Sequence, residues 1–307
     1  MEGVSDSAGV PGDGGRAGFW LLHAAVLMLW RAGMNSRLLI SPALAWLAVL
    51  FVAPLLLVLA ASFAQRGLPL EWAFSLEAWR SVLEPQVLKV LTRTLWFALM
   101  TMAGTLLLGA PLAWFIARRP VKTRRVLLAL VLLPLIANSL VLVYAWMNLL
   151  DREGLVGRAL MALGVLPEGG QMLYTGAASL LGMVYYFLPF MVYPICMALE
   201  KMDWRLVEAA ADLGANGRQS LRHIVLPLVW PGVAAGGILV FIQAMGTFVI
   251  PDLMGGSKDM LAGTMISHRF VGQASHWPAG AALSVLMMLV MTAGLLVYFK
   301  LQRRILK

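Results

Sequence analysis

"EAAADLGANGRQSLRHIVLPL", residues Glu208 to Leu228, is a charged, glycine-broken segment set between two long runs with almost no charge. On a helical wheel of "DWRLVEAAADLG", Leu206, Ala210 and Leu213 fall on one face, and Glu208 and Asp212, four apart, on the other. The pattern predicts a short amphipathic helix. Gly214 stands where a left-handed cap is wanted, and Asn216 where a second helix needs an N-cap. Leu221, Ile224, Val225 and Leu228 make the apolar stripe of that second helix. Pro227 marks the turn from the membrane surface into the next run. Periodicity alone fits a headgroup anchor as well as a protein-docking helix.

The flanking runs set the fold class. Of 307 residues, 61% are hydrophobic and only 13% charged, with a mean hydropathy of +0.82, too apolar for a soluble domain that must cover its core with polar surface. Six stretches contain no Asp, Glu, Lys or Arg: Leu38 to Gln65, Thr94 to Ala117, Val126 to Leu150, Gly169 to Leu199, Ile224 to Pro251 and Phe270 to Phe299. A helical crossing takes about 20 apolar residues. An all-α membrane protein with six transmembrane helices is therefore expected, with spans near 38–63, 94–117, 126–150, 174–199, 228–251 and 278–300.

Basic residues are retained on the cytoplasmic side. With the N-terminus inside, sixteen of the 24 Lys and Arg fall in cytoplasmic segments, among them Arg118, Arg119, Lys122, Arg124, Arg125, Lys201, Arg205, Arg218 and Arg222. The other eight are outside, matched by eight acids. The net charge of +9 then reads as a topology signal and a contact with anionic lipid, not as a nucleic-acid surface. Both termini are placed in the cytoplasm.

Residues 1–33 read as an extension to a six-helix domain at 34–307. Met1 to Gly15 is Gly-rich and acidic and is expected to be disordered, while Ala17 to Trp30 is too short to span and is expected to lie in the interface as a helix. The rival reading starts translation at Met34. The acids Glu2, Asp6 and Asp13 argue against a signal peptide.

Within the runs, the small residues Gly104, Gly109, Ala110, Gly176, Gly182, Gly232, Gly236 and Gly237 are expected at helix contacts, and Pro54, Pro134, Pro189, Pro194 and Pro231 at kinks. Arg66 to Arg93, Asp151 to Glu168 and Asp252 to Arg269 form the outer connections. A short helix is expected in "SLEAWRSVLEPQVLKVL", with Leu76, Trp79 and Leu83 on one face, Glu77, Arg80 and Glu84 on the other, and Pro85 interrupting it.

No catalytic constellation can be assembled. His23, His223, His268 and His276 form no H-E-x-x-H pair, no G-x-S-x-G elbow is present, and the lone Cys196 makes no metal site. "GGSKD" lacks the spacing of a phosphate-binding loop. The spans carry no acid of the kind that couples transport to protons or sodium, which weighs against an ATP-independent secondary transporter, the alternative in a different class.

The opening stretch resembles the EAA loop of permease subunits of type I ABC importers, E-A-A-x3-G-x9-I-x-L-P, matching at Glu208, Ala209, Ala210, Gly214, Ile224, Leu226 and Pro227. The resemblance implies a coupling helix, with Asp212 alongside Glu208, that seats on an ATPase subunit. "LPFMVYPICMALEKMDWRLVEAAADLGA", "AMGTFVIPDLMGG" and "HWPAGAALSVLMMLVMTAGLLVYF" are similar to the first permease of the spermidine/putrescine branch, from about Leu38 to the C-terminus.

That branch implies a non-catalytic chain in the bacterial inner membrane, with no cofactor of its own, since ATP and Mg would be bound by two ABC ATPase subunits. It also implies a second EAA-type permease as a heterodimer partner and an extracytoplasmic solute-binding protein. The cargo would be a polyamine. His276, where relatives commonly have Asp before Trp-Pro, departs from the pattern, and related systems carry aminophosphonates or ferric iron. Tyr144, Trp146, Tyr185, Tyr186 and Asp252 are the candidate path residues, since aromatic faces and a carboxylate can hold a desolvated ammonium. The plainer reading makes the aromatics interface anchors and Asp252 a helix cap.

Overall fold

The computed structural model describes residues 36–65, 71–164, 170–256, 259–271 and 276–305. The readings of residues 1–33 lie outside these. The chain divides into two units, Met1–Leu57 and Val58–Lys307. The described part of the first is most of helix α1 (Ser36–Ala61), apolar all round and containing Pro42 and Pro54, as a lipid-immersed helix must be.

The second unit opens with a small antiparallel ribbon, β1 (Ala64–Gln65) and β2 (Glu71–Phe74), in which Phe63 stacks on Phe74 at 5.6 Å. Helices follow: α2 (Glu77–Val82), α3 (Pro85–Ala117), α4 (Val121–Ile136), α5 (Ser139–Leu150), α6 (Leu155–Ala162) and α7 (Gly176–Lys201). Then come α8 (Arg205–Asp212), α9 (Gly217–Ser220), a π-turn (Leu221–Val225), α10 (Leu226–Gly246), α11 (Val249–Met254), α12 (Ala262–Phe270) and α13 (Trp277–Ile305).

The core is α3, α7 and α10 packed on one another. Glycine makes the approach possible. A Cβ on Gly104 would meet Val184 at 2.8 Å, and one on Gly232 would meet both Ala198 Cβ and the Pro194 carbonyl oxygen at 2.6 Å. Met191 fills the space between Gly109 and Gly236, so its flexible side chain does the packing that two smaller residues could not.

Three expectations need correction. The run 126–150 is not one straight span: α4 and the α5–α6 segment meet at 94°. Pro134 removes a helical donor two residues before α4 ends. Ala137 is extended, and the Asn138 side chain accepts from Leu140 N at 2.9 Å, starting α5 as an N-cap. Second, Pro85 does not interrupt a helix but begins one, at the N-terminal position proline favours. As a result α3 starts nine residues before the expected span and carries Lys89 and Arg93 on helix. Third, α2 buries Ala78 and Val82 against Ala282 and Leu283 of α13, while Leu76 and Leu83 are exposed. Ala78 is small enough to let the two helices close.

Thr94 ties α3 to the far loop. Its buried hydroxyl donates to the Val90 carbonyl at 2.8 Å and accepts from Ala262 N, the first residue of α12, at 2.8 Å. Leu261, at the cap position, offers no side-chain acceptor, so Thr94 caps α12 from another helix. Thr94→Val should leave that N–H buried without an acceptor, at a cost of about 1–3 kcal/mol. Thermal unfolding in detergent should show a lowered midpoint for Thr94→Val and recovery in Thr94→Ser.

Candidate functional site

The loop between α7 and α10 is built by local chemistry. Met202 is extended and ends α7, and Asp203 Oδ1 accepts from Arg205 N at 3.0 Å, opening α8. At its other end Gly214 sits at φ +84°, Gly214 N donates to Ala211 O and Ala215 N to Ala210 O, both at 2.9 Å. These two bonds are a Schellman turn, which requires the left-handed residue that glycine supplies. Asn216 and Gln219 then exchange side-chain-to-backbone bonds of 2.9 Å each, a capping box on α9.

Gly217 to Gly246 continues as one helix through the π-turn that contains Ile224. Leu226 N donates to Leu221 O, five residues back. The wider turn lies immediately before Pro227, which lacks an N–H and crowds the preceding carbonyls. Pro227 therefore stands inside a continuous helix rather than at a turn into it.

Glu208, Ala209 and Asp212 are exposed on α8, and Ala210 is half-buried. The inward face differs from the expected one: Trp204 and Val207 pack on the core, whereas Leu206 is 48% and Leu213 90% exposed. Leu213 is the residue after the last helical one, and the Schellman turn carries it away from the protein. Two exposed leucines beside two exposed acids make a mixed apolar and anionic surface. Beneath α8 lies a cavity of about 620 Å³ whose walls include Pro111, Trp114, Leu199, Val207, Ala211 and Val225.

Two groupings here escape sequence reading. Trp114 on α3 meets Trp204 edge-on at 5.4 Å, and the Arg118 guanidinium lies 4.5 Å and 5.3 Å from the two ring centres. Arg124 on α4 bonds Glu200 on α7 at 2.7 Å. Only the i, i+4 spacing of Trp114 and Arg118 hinted at the first; Trp204 is ninety positions away.

The candidate path residues do not form one wall. Trp146 and Tyr185 are joined edge-on at 5.2 Å, while Tyr186 packs on Phe187. Tyr144 is exposed, two residues from Trp146 and so on the opposite side of α5. Asp252, on α11, is 3.2 Å from His268 Nε2, and α11 packs on both α5 and α7. Asp259, which sequence reading passed over, lies 3.7 Å from Arg93 and next to Gly176 at the start of α7, where the helix dipole favours an anion.

His276 belongs to a separate pocket of about 380 Å³ with Glu77, Arg80, Glu84 and Arg269. Burial pulls the Arg269 pKa down, and nearby Glu84 opposes that shift. The pocket is thus lined by both signs of charge.

Residues 109–307 match the family model of the binding-protein-dependent transport system inner membrane component. The chain is 38% identical over 260 residues to the spermidine/putrescine transport system permease protein PotB of Escherichia coli strain K12, covering 84% of this chain and 94% of that one. The PotB protein of Haemophilus influenzae is 37% identical over 257 residues, 83% of this chain and 90% of the relative. A bacterial ABC transporter involved in the import of the acidic polysaccharide alginate shares the fold, with a TM-score of 0.72 at 18% identity over 91% of this chain and all of the other. The seven matched loop positions, the helical core and these likenesses agree, and the chain belongs to the family of binding-protein-dependent transport system inner membrane components.

Proposed function

We propose that this permease carries polyamine-like cations inward as part of an ATP-driven complex with two ATPase subunits, a second EAA-type permease and an extracytoplasmic solute-binding protein. The identity to spermidine/putrescine permeases over 84% of the chain carries the substrate reading. The loop end of the bundle faces the cytoplasm, in keeping with its basic residues, and both termini lie on that side. Glu208, Asp212 and the exposed Leu206 and Leu213 form the surface that an ATPase cleft accepts. Closure of the ATPases moves α8, and through it the spans, by alternating access.

On the outer side, Asp252 supplies charge, and the Trp146–Tyr185 pair supplies ring faces suited to a desolvated ammonium. A second reading, an aminophosphonate cargo, draws on the pocket where Arg269 and His276 stand beside the acids. The test is uptake of labelled spermidine by the complete complex in proteoliposomes. Uptake should require ATP and the binding protein, and only polyamines should compete. Competition by aminophosphonate or ferric iron alone would move the substrate class, and uptake without ATP would remove the importer reading.

A further inference from the structure

We infer that Trp204, packed against Trp114 and Arg118, is the joint through which α8 moves the membrane helices. This rests on the coupling role proposed above for α8. The helix carries no buried residue, and the cavity of about 620 Å³ lies between Val207 and Ala211 on one side and Trp114, Ile195 and Leu199 on the other. Contacts across a gap lose most of their attraction, whereas close-packed groups transmit displacement. A push on the middle of α8 therefore reaches the core directly only through Val207, and most of the force must pass through its ends.

At the C-terminal end, the chain passes through Gly214 and the capping box into the continuous helix that becomes α10. At the N-terminal end, the backbone offers a poor lever, because extended Met202 breaks the hydrogen-bond ladder between α7 and α8. Side chains supply the link instead. The Trp204 ring sits edge-on to Trp114, and Arg118, the residue capping α3, lies over both rings.

Helix α3 is the suitable receiver. It packs along α7 and α10, and at its far end Thr94 holds the start of α12. A displacement of Trp204 thus has one continuous helix leading from the loop to the outer connections. The contact is also one that can shift: an edge-to-face pair tolerates sliding, and a guanidinium can follow a ring face, which a backbone ladder cannot.

The experiment uses the complete reconstituted transporter and reads three quantities: ATPase co-purification, ATP hydrolysis and solute uptake. Trp204→Ala and Trp114→Ala should each retain the ATPase and its hydrolysis while uptake per ATP falls about tenfold, the scale of one aromatic pair with its cation contact. The double variant should be no worse than either single one, because both remove the same contact. Trp204→Phe should restore most of the ratio, and Arg118→Lys, which keeps charge without a planar face, should fall between.

An unchanged uptake-to-hydrolysis ratio in Trp204→Ala, or a double-variant loss equal to the product of the singles, overturns the joint. If Trp204→Ala fails to assemble, Trp204→Phe against Arg118→Leu decides: a ratio lowered in the second alone supports the joint, and equal ratios overturn it. Glu208→Arg separates the premises. If that variant is uncoupled while Trp204→Ala is not, only the joint fails; if Glu208→Arg transports normally, the coupling role of α8 itself fails.

Discussion

Glu208→Arg should remove the ATPase subunits from the purified complex and lower uptake by about thirtyfold or more, because a reversed charge at the proposed docking surface replaces attraction with repulsion. The residue is exposed on α8 and the helix is complete without it, so the chain should fold and insert as before. Glu208→Gln should give a smaller loss. Gly214→Val reaches the same end by another route. At φ +84° with nothing within 4 Å of a Cβ, the difficulty is conformational rather than steric, and a branched residue there costs about 1–2 kcal/mol. The Schellman turn would open and α8 would point elsewhere. Gly214→Asn, which tolerates the left-handed region, should retain more uptake than Gly214→Val. Co-purification and uptake, measured together, check both positions.

The second large effect is on stability. Gly232→Val places a Cβ 2.6 Å from the Pro194 carbonyl oxygen and from Ala198 Cβ. Backbone oxygen cannot rotate away as a side-chain terminus can, so α7 and α10 must separate, and the core loses contact along both. A cost of about 3 kcal/mol is expected, seen as a lowered thermal midpoint and reduced recovery of the complex. Gly217→Ala is the matched control. It lies in the same continuous helix with open space around its Cβ position and should leave the midpoint unchanged or slightly raised.

Local signals proved readable and distant ones did not. Gly214 and Asn216 announce their turn and cap because each acts within a few residues of itself, and the seven motif positions carried the fold with them. The face of α8 was harder. A wheel weighs Leu206 and Leu213 equally with Val207, but the turn at Gly214 takes Leu213 out of the helix, and Val207 packs on the core along with Trp204. Hydropathy was blind to the bend at Ala137 because it averages side chains and does not count backbone hydrogen bonds. The cue was still present in Pro134 followed by Asn138 and Ser139. Trp114 and Trp204 meet only through the packing of α3 on α7, which no spacing within either segment encodes. The path residues show the same limit: Trp146 and Tyr185 come together across two helices, while Tyr144, close to Trp146 in sequence, faces away.

The bend between α4 and α5 bears on how this subunit can exist in a bilayer at all. It falls at the middle of the apolar run 126–150, where a helix would otherwise satisfy its own carbonyls, and Ile136, Ala137 and Asn138 are all exposed on the single chain. Hydrocarbon offers such backbone no donors, and each unmet group costs several kcal/mol. At membrane depth this corner must therefore rest against protein or open onto water. A solitary copy surrounded by lipid would have neither, so its yield and lifetime in the membrane depend on what is synthesised beside it.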